Sequence, residues 1–426
     1  MIHENRRSLA AFTLLEIMIA LTVLSIVMTA LLFTLSRMEN ISQQQITISE
    51  VQQSARAAHD EIVRMTRMAG RGGLQQDRGR LGRAIVVRNN AGIGAEPREV
   101  VTGVSDPPMA MEGTDILTVR GVMNSELVAV NYRDPTTSSY DDSTGIGFVT
   151  IPLTTPTGIT QDLTALIDAN NDGLEEALVL IDAIDASTYG VARLIPGGSI
   201  ADDATEIRLQ FDTQGGRGPD YAILSRDFDG DAAFPELNAV AFVGVLEEYR
   251  FYIRDDDDLG PVMSRARVFP NTDAPWNDDE DEVQVDYAIG IVDLQVALAF
   301  DSTIEGTFDD DNNATGPDDV IAEYDRDSST DDDWLFNQTA DDATEALWSG
   351  PWLPEAGAIE ERPSLFAIRV STLAMARGIE RGHPSELIDG LEDRDYGIGV
   401  DDPINGHPNR SKRKRLLTTV IKPRNL

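Results

Sequence analysis

A continuous apolar segment near the N-terminus constrains the fold of this chain more than any other feature. From Ile17 to Leu35 the sequence contains no charged residue, no proline and no glycine. A helix rises 1.5 Å per residue, so this segment spans about 28 Å, close to the thickness of the hydrocarbon core of a bilayer. Arg6 and Arg7 precede it, and the positive-inside rule therefore predicts a single-pass helix with a cytoplasmic N-terminus.

A cleaved secretory signal peptide is the main alternative for this segment. Its cleavage site would follow the apolar residues, but residues 36–40 (Ser-Arg-Met-Glu-Asn) lack the small-residue pattern of such a site. The small residues Ala10 and Ala11 lie before the segment instead. The sequence therefore predicts that the apolar helix is retained as a membrane anchor.

Glu16 is a carboxylate at the start of the apolar segment, where full burial of a charge costs about 2.5–3.5 kcal/mol. One interpretation is that its side chain reaches the lipid headgroups. Another follows from the residues around it, because Ala11-Phe12-Thr13-Leu14-Leu15-Glu16 resembles the class III signal of type IV pilins and pseudopilins. The resemblance implies that a prepilin peptidase cleaves between Ala11 and Phe12, and that Phe12 becomes an N-methylated first residue.

This resemblance gives Glu16 a role in assembly. Cleavage leaves a cationic amine on Phe12, and in a fibre of packed helices that amine can face Glu16 of a neighbouring subunit. The family usually has glycine at the position of Ala11, which is also a small residue. The implied partners are the prepilin peptidase, other minor and major pilins, the pilus assembly platform and the inner membrane.

Beyond the apolar segment the chain contains no proline or glycine as far as Ala69. Apolar residues recur there at alternating steps of three and four, which is typical of one helix face packed along its length. This face either packs against the chain's own globular head, the favoured interpretation, or binds a partner helix. Its residues are Ile48, Val51, Ala55, Ala58, Ile62, Met65 and Ala69. Gly70, Gly72 and Gly73 are expected to end the helix.

From about Leu81 onward, short β-branched segments alternate with Gly, Pro, Asn and Asp, which indicates an antiparallel, loop-rich sheet. The predicted strands are Ala84–Arg88, Ile116–Arg120, Leu127–Tyr132, Phe148–Leu153, Ala177–Ile181, Ile207–Phe211, Ala239–Arg254, Val283–Phe300, Leu365–Ala376 and Leu416–Ile421. Several segments, including Glu50–Ala58, Arg64–Gly70, Tyr249–Arg254 and the C-terminal tail, resemble PilW-type minor pilins. The fold class that follows is α+β, a pilin-like lollipop with a long membrane-spanning helix packed on a β-sheet head.

The expected domain order follows from these segments. It comprises a cytoplasmic leader peptide (residues 1–11), a transmembrane and polymerisation helix (12–35), a periplasmic continuation of the helix (36–69) and a β-rich head (70–426) with acidic insertions. The most acidic insertion, 301–345, contains sixteen acidic residues and one basic residue. Such a density of like charge either stays solvated or binds cations.

One acidic loop has the spacing of a calcium site. Asp168, Asn170 and Asp172 match the first three ligand positions of a calcium loop, and Gly173 matches its turn glycine. The bidentate glutamate is missing, because the twelfth position is Val179, so the loop is a candidate Ca²⁺ site but not an EF-hand. A solvated turn is the alternative for an aspartate-rich chain.

The charge of the chain limits its partners, and its motifs limit its chemistry. A net charge of −38 argues against nucleic acid, because its phosphates would be repelled. The chain has no cysteine, no Gly-x-Ser-x-Gly elbow and no P-loop, so we expect no enzymatic activity. One basic segment stands out, with Arg410, Lys412, Arg413, Lys414 and Arg415. It could meet an acidic neighbour or the head's own acidic loops, or form a solvated turn.

The resemblance and the anchor together predict a minor pilin that helps to initiate, prime or cap a type IV pilus. Its head would lie in the periplasm before assembly and in the fibre at the cell surface afterwards. A minor pseudopilin of a type II secretion system shares the same N-terminal features. The alternative from another class is a membrane-tethered, calcium-dependent adhesin or binding module that never polymerises.

Overall fold

The structure is a computed structural model that divides into two compact units, Met1–Glu50 and Val51–Leu426. It describes residues 13–72, 84–91, 110–123, 126–130, 138–141, 144–155, 157–161, 177–182, 189–195, 206–213, 240–268, 284–301, 346–348, 364–377, 387–388, 390–392, 394–396, 404 and 409–422. One helix, α1 (Leu14–Met68), contributes residues to both units. The expected domain boundaries at residues 11, 35 and 69 remain predictions.

Helix α1 is continuous over its 55 residues, and it ends within one residue of the predicted position. It stops where Gly70 and Gly72 adopt φ angles of +77° and +107°, which glycine reaches without a steric penalty. The Gly70 amide donates to the Arg120 carbonyl oxygen at 2.9 Å. This hydrogen bond joins the end of the helix to the first sheet of the head.

The predicted apolar stripe of α1 lies in the main hydrophobic core. Val51, Ala55, Ala58, Ile62, Met65 and Ala69 are all buried, and Ile48 is half-buried. The same core contains strand residues such as Leu117, Phe251 and Val296. The interpretation that this stripe packs against the chain's own head is therefore confirmed.

Eighteen strands follow the helix among the described residues. They are β1 (Ile85–Asn89), β2 (Ile116–Gly121), β3 (Val128–Ala129), β4 (Ser138–Asp141), β5 (Ile146–Pro152), β6 (Ala177–Asp182), β7 (Tyr189–Leu194), β8 (Glu206–Asp212), β9 (Val240–Val245), β10 (Glu247–Asp256), β11 (Gly260–Val268), β12 (Gln284–Ile289), β13 (Ile291–Asp301), β14 (Ala346–Trp348), β15 (Ser364–Met375), β16 (Gly390–Leu391), β17 (Arg394–Asp395) and β18 (Lys414–Ile421).

These strands form three main sheets and a small hairpin. A six-stranded sheet has the order β12-β11-β10-β2-β1-β14, and a three-stranded sheet has the order β13-β15-β18. A seven-stranded sheet has the order β3-β9-β6-β7-β8-β5-β4, and β16 pairs with β17. All strand pairs in the described residues are antiparallel. The predicted α+β class, with a long N-terminal helix followed by an antiparallel sheet region, is confirmed.

Two hydrophobic cores organise these sheets. The first joins the α1 stripe to the six-stranded and three-stranded sheets, through residues such as Leu117 in β2 and Val370 in β15, and it also includes Val191 of β7. The second belongs to the seven-stranded sheet and includes Val149, Phe211 and Val243. The three-stranded sheet therefore lies directly against the C-terminal part of the helix.

Gly290 divides one long predicted strand into two observed strands, β12 and β13. The predicted strand Val283–Phe300 is divided by Gly290, which has a φ of +80°. A Cβ atom at this position would lie 2.8 Å from the Met375 carbonyl oxygen, so the turn admits no side chain. The chain leaves the six-stranded sheet at this turn and enters the three-stranded sheet.

Candidate assembly site at the helix N-terminus

The predicted cleavage site lies just before the first described residue. Ala11 and Phe12 are outside the described residues, and the structure begins at Thr13. Cleavage between them therefore stays a prediction. Glu16, the predicted assembly residue, is described, and its contacts can be compared with the proposed role.

Glu16 forms a capping box with Thr13. Its Oε2 accepts hydrogen bonds from the Thr13 backbone amide at 2.9 Å and from the Thr13 hydroxyl at 3.0 Å. In return, the Glu16 amide donates to Thr13 Oγ1 at 3.3 Å. This reciprocal pair satisfies donors that the first turn of a helix leaves without intrahelical partners. The Thr-x-x-Glu spacing is a sequence signature of this motif, and the interpretation of Glu16 from its charge alone missed it.

The partners of Glu16 are neutral in the described part of the chain. Each of its side-chain hydrogen bonds goes to Thr13, and the carboxylate is fully exposed. The capping box therefore orients the carboxylate at the helix end without neutralising its charge. A carboxylate held in this way remains able to pair with a cation from another molecule.

The helix surface next to Glu16 is apolar on all sides. α1 is long and apolar enough to cross a membrane, and none of its most apolar stretch is buried, although a signal sequence has the same properties. Its exposed large side chains include Leu14, Leu21, Leu24, Val27, Leu31 and Phe33. The described residues of this stretch are exposed, and a contiguous apolar surface of this size is typical of a membrane or protein interaction site.

The hydroxyl groups within this apolar stretch are satisfied by the helix itself. Thr22, Thr29 and Thr34 each donate to the backbone carbonyl oxygen four residues earlier, at 2.8, 2.8 and 2.9 Å. A hydroxyl without a partner would be costly in an apolar medium. At the C-terminal end of the stretch, the Arg37 guanidinium lies 4.9 Å from the centre of the Phe33 ring. The stretch is thus compatible with a bilayer, and a cation marks its end.

The C-terminal part of α1 carries a second glutamate with different partners. Glu61 Oε1 lies 2.7 Å from Arg64 Nη2 and 2.8 Å from Arg265 Nη1, and it accepts a hydrogen bond from the Tyr287 hydroxyl at 3.2 Å. Burial raises the pKa of Glu61, but the hydrogen bond from Arg64 and the charges of Arg64 and Arg265 outweigh burial, so the net pKa is lowered. This charge is neutralised within the head.

His59 also joins α1 to the three-stranded sheet. Its Nε2 lies 2.6 Å from Thr419 Oγ1 in β18, and its Nδ1 lies 3.3 Å from Thr372 Oγ1 in β15. Burial lowers the pKa of His59, against a smaller upward effect of the Asp60 charge. The sequence analysis attached no role to this histidine, because its partners are more than 300 residues away.

Another buried carboxylate is neutralised inside the six-stranded sheet. Glu248 Oε2 lies 2.6 Å from Arg120 Nε, and its Oε1 lies 2.6 Å from Arg250 Nη2. Burial raises the pKa of Glu248, but the charges and hydrogen bonds of both arginines outweigh it and lower the pKa to about 2. The carboxylate is therefore ionised throughout the neutral range.

The candidate calcium residues Asp168, Asn170 and Asp172 lie outside the described residues, as does the acidic stretch 302–345. Within the described ranges, no group of three or more His, Cys, Asp or Glu side chains is arranged to hold a metal ion. Calcium binding at 168–173 therefore remains a prediction from sequence spacing.

Comparison with known families identifies the N-terminal segment. Residues 6–32 match the family model described as the prokaryotic N-terminal methylation motif. The prediction of a prepilin-type methylation motif is therefore confirmed, and with the apolar helix it supports anchoring in a membrane. The match does not extend into the head, where the likeness to PilW-type minor pilins stays a prediction.

The whole chain was also compared with curated proteins and with solved structures. None of the curated proteins compared with the sequence matches it. Among solved structures, the chain is similar to a type IV-like pilin from Thermus thermophilus, with 12% identity, a TM-score of 0.21, and coverage of 62% of this chain and 95% of that one. A TM-score this low does not establish a shared head fold.

Proposed function

We propose that this protein is a minor pilin, which helps to initiate, prime or cap a type IV pilus. The observation that carries the proposal is a methylation motif, residues 6–32, that overlaps the start of an apolar helix whose described side chains are exposed. The helix acts first as an anchor in the inner membrane, with the head in the periplasm. In the fibre, neighbouring pilin helices replace the lipid around it.

Processing supplies a cation that can pair with the Glu16 carboxylate. Cleavage between Ala11 and Phe12 by a prepilin peptidase frees an α-amine, which is cationic at neutral pH. Glu16 is already oriented by Thr13, and its described partners are neutral. The amine of a neighbouring subunit then pairs with this carboxylate, and the pair sets the register of the incoming subunit. Cation and anion compensate one another in a medium where either charge alone is costly.

Three substitutions at Glu16 separate the charge from the helix cap. Glu16→Gln keeps a side chain that forms capping boxes but removes the charge, whereas Glu16→Ala removes both. Glu16→Asp keeps the charge on a shorter side chain. We expect Gln and Ala variants to be absent from sheared filaments, measured by immunoblotting, and the Asp variant to retain partial incorporation. Normal incorporation of the Gln variant would show that incorporation does not require the charge of Glu16, which would contradict the charge mechanism.

Mass spectrometry of the mature N-terminus tests the processing step. We expect a chain that begins at N-methylated Phe12 in cells with an active prepilin peptidase, and an intact Met1 in cells without it. Ala11→Gly should preserve cleavage, whereas Ala11→Val, with a branched side chain next to the scissile bond, should block it. An intact leader in peptidase-positive cells would remove the proposal.

Deletion of the gene tests which filament uses the protein. We expect loss of surface pili with secretion intact, restored by the full-length gene. Loss of secretion with normal pili would reassign the protein to the pseudopilins of type II secretion, which share the methylation motif.

A further inference from the structure

Strand β18 forms an open edge of the three-stranded sheet. It pairs with β15 along one side over eight consecutive residue pairs, from Lys414 with Met375 to Ile421 with Ile368, without a register shift. No described strand pairs with its other side. A regular edge of this length presents backbone donors and acceptors to which another extended chain can add.

The outer face of β18 adds exposed apolar side chains to this edge. Thr419 contacts His59 on α1, and Ile421 lies in the main core, so these residues face the helix. Side chains alternate along a strand, so Leu416, Thr418 and Val420 face the opposite side. Leu416 and Val420 are 40% and 43% exposed there.

The charge around β18 is opposite to that of the whole molecule. The segment 410–422 contains six basic residues and no acidic residue, although the chain has a net charge of −38. All three lysines of the protein, Lys412, Lys414 and Lys422, lie in it. The bases flank an uncharged stretch, Leu416–Ile421, at both ends. An anionic partner is therefore attracted here and repelled by most of the remaining surface.

Protection of the edge against aggregation is the simplest alternative explanation for these bases. Edges protected in that way carry a proline, a bulge or a charge within the strand. β18 carries charges only at its first two positions, Lys414 and Arg415, and its other six residues, Leu416–Ile421, contain no charge or proline and pair regularly with β15. The cations lie where they would flank a docked strand and leave the centre of the edge free to pair.

We propose that β18 is a docking strand, which adds an extended acidic segment of a partner protein to the three-stranded sheet. Backbone hydrogen bonds along the edge supply the affinity, Leu416 and Val420 contact alternate side chains of the partner, and the flanking bases select acidic sequences. A second copy of segment 410–422 is a poor occupant, because it brings six cations of its own. This proposal does not depend on the role of the N-terminal motif.

Peptide binding to the full-length protein tests the proposal. The protein is held in nanodiscs of zwitterionic lipid, and binding of a fluorescent peptide is followed by anisotropy. The probe is an alternating Asp-Val peptide with the eight-residue length of β18. A Lys-Val peptide controls for charge, and an Asp-Val peptide with N-methylated backbone amides controls for strand pairing. We expect the unmodified acidic peptide to bind roughly tenfold or more tightly than either control.

Matched protein variants locate the binding surface. Arg415→Glu should weaken binding of the acidic peptide by roughly tenfold, and Arg415→Gln by a smaller factor in the same direction. Arg208→Glu makes the same charge change at an exposed position of β8 and should leave the affinity within about twofold. Thermal unfolding of each variant confirms that the head is intact, and the Gln variant provides the test if the Glu variant does not fold.

Three outcomes would overturn the proposal. Equal binding of the N-methylated peptide would exclude strand addition. Equal losses in the Arg415 and Arg208 variants would show a nonspecific charge effect. Tighter binding of a single-stranded oligothymidine than of the acidic peptide, with the same dependence on Arg415, would identify a nucleic-acid surface instead.

Discussion

The two parts of α1 use apolar and acidic residues in opposite ways. From Leu14 to Ile46 the large apolar side chains are exposed on every side, and Glu16 contacts only the neutral Thr13 among the described residues. From Val51 to Met68 the apolar side chains form one buried stripe, and Glu61 is paired with Arg64 and Arg265. The helix is continuous across both parts.

This difference shows that helix formation and the source of stabilisation are separate properties of the sequence. The second part is completed by partners from its own chain, namely the β strands for the stripe and two arginines for Glu61. In the described structure the first part has neither. Substitutions at equivalent kinds of residue in the two parts should therefore have different effects, and on different measurements.

The largest expected difference is between two isoleucines. Ile62 is fully buried, and Ile62→Ala should lower the free energy of unfolding of the head by about 2–5 kcal/mol because it leaves a cavity. Ile41 is 53% exposed, and Ile41→Ala should change it by less than about 0.5 kcal/mol. Urea unfolding of the full-length protein in detergent, followed by tryptophan fluorescence, measures both. Equal effects would contradict the division of the helix.

Charge neutralisation inside the head predicts a specific acid sensitivity. The folded pKa of Glu248 is about 2, below its ordinary value of 4.5, so its ionised form stabilises the fold above about pH 5. This contribution, roughly 3 kcal/mol, is lost progressively as the pH falls from 5 towards 2. Glu248→Gln should remove it at neutral pH and flatten the acid side of the stability profile. A variant with an unchanged profile would show that the two arginines do not stabilise the ionised form.

The two glutamates of α1 provide a direct test with one substitution. Glu61→Gln should reduce the stability of the head by about 1–2 kcal/mol at pH 7, since Arg265 loses its charged partner. The pKa of Glu61 is lowered in the fold, so this difference from wild type should shrink as the pH falls below its ordinary value of 4.5. Glu16→Gln should leave head unfolding unchanged. Destabilisation of the head by Glu16→Gln would break the comparison.

The smallest expected effect concerns His59. Its pKa is lowered in the folded head, so the unfolded chain binds a proton more readily, and stability falls as the pH drops below about 6.5. We expect a loss of less than about 1 kcal/mol between pH 7.5 and 5.5. His59→Gln should remove this part of the pH dependence, measured as the difference between the two unfolding profiles. An identical pH dependence of stability in both proteins would assign the effect to another titratable group.

Local patterns were sufficient to predict the helix and the positions of many strands. α1 followed from the absence of Pro and Gly and from the buried stripe, whose period matches a helix face. Strands such as β2, β5 and β15 lie within a few residues of their predicted bounds. The predicted strand Ala239–Arg254 is divided between β9 and β10, because adjacent residues leave one sheet and enter another.

Other features depend on contacts between residues distant in sequence. β7 was missed because both of its faces are buried, with Val191 in the first core and Leu194 in the second, so it lacks a polar face. β11 was not among the predicted strands; it begins directly after the short turn that follows Asp255 and Asp256, the last residues of β10. The pairing of β2 with β10 and the contacts of His59 join residues more than 100 positions apart, and no local pattern specifies them.

The Thr-x-x-Glu spacing of a capping box is present in the sequence, but the prediction for Glu16 was based on its charge and did not include this hydrogen-bonding role. In contrast, no sequence signal indicated that Glu61 would meet Arg265, because the two lie 204 residues apart. The candidate assembly residue could therefore be named from the sequence, whereas the residues that hold the helix to the head could not.

The contacts of His59, Glu61, Ile62 and Met65 all lie within two turns of one unbroken helix. A helix closed by its own backbone hydrogen bonds extends little under tension. A pulling force along α1 therefore loads the contacts of these four residues together, instead of breaking them one after another. Under a pulling force along α1, the attachment of the helix to the head would therefore be loaded in shear, and its strength would be the combined resistance of these four contacts.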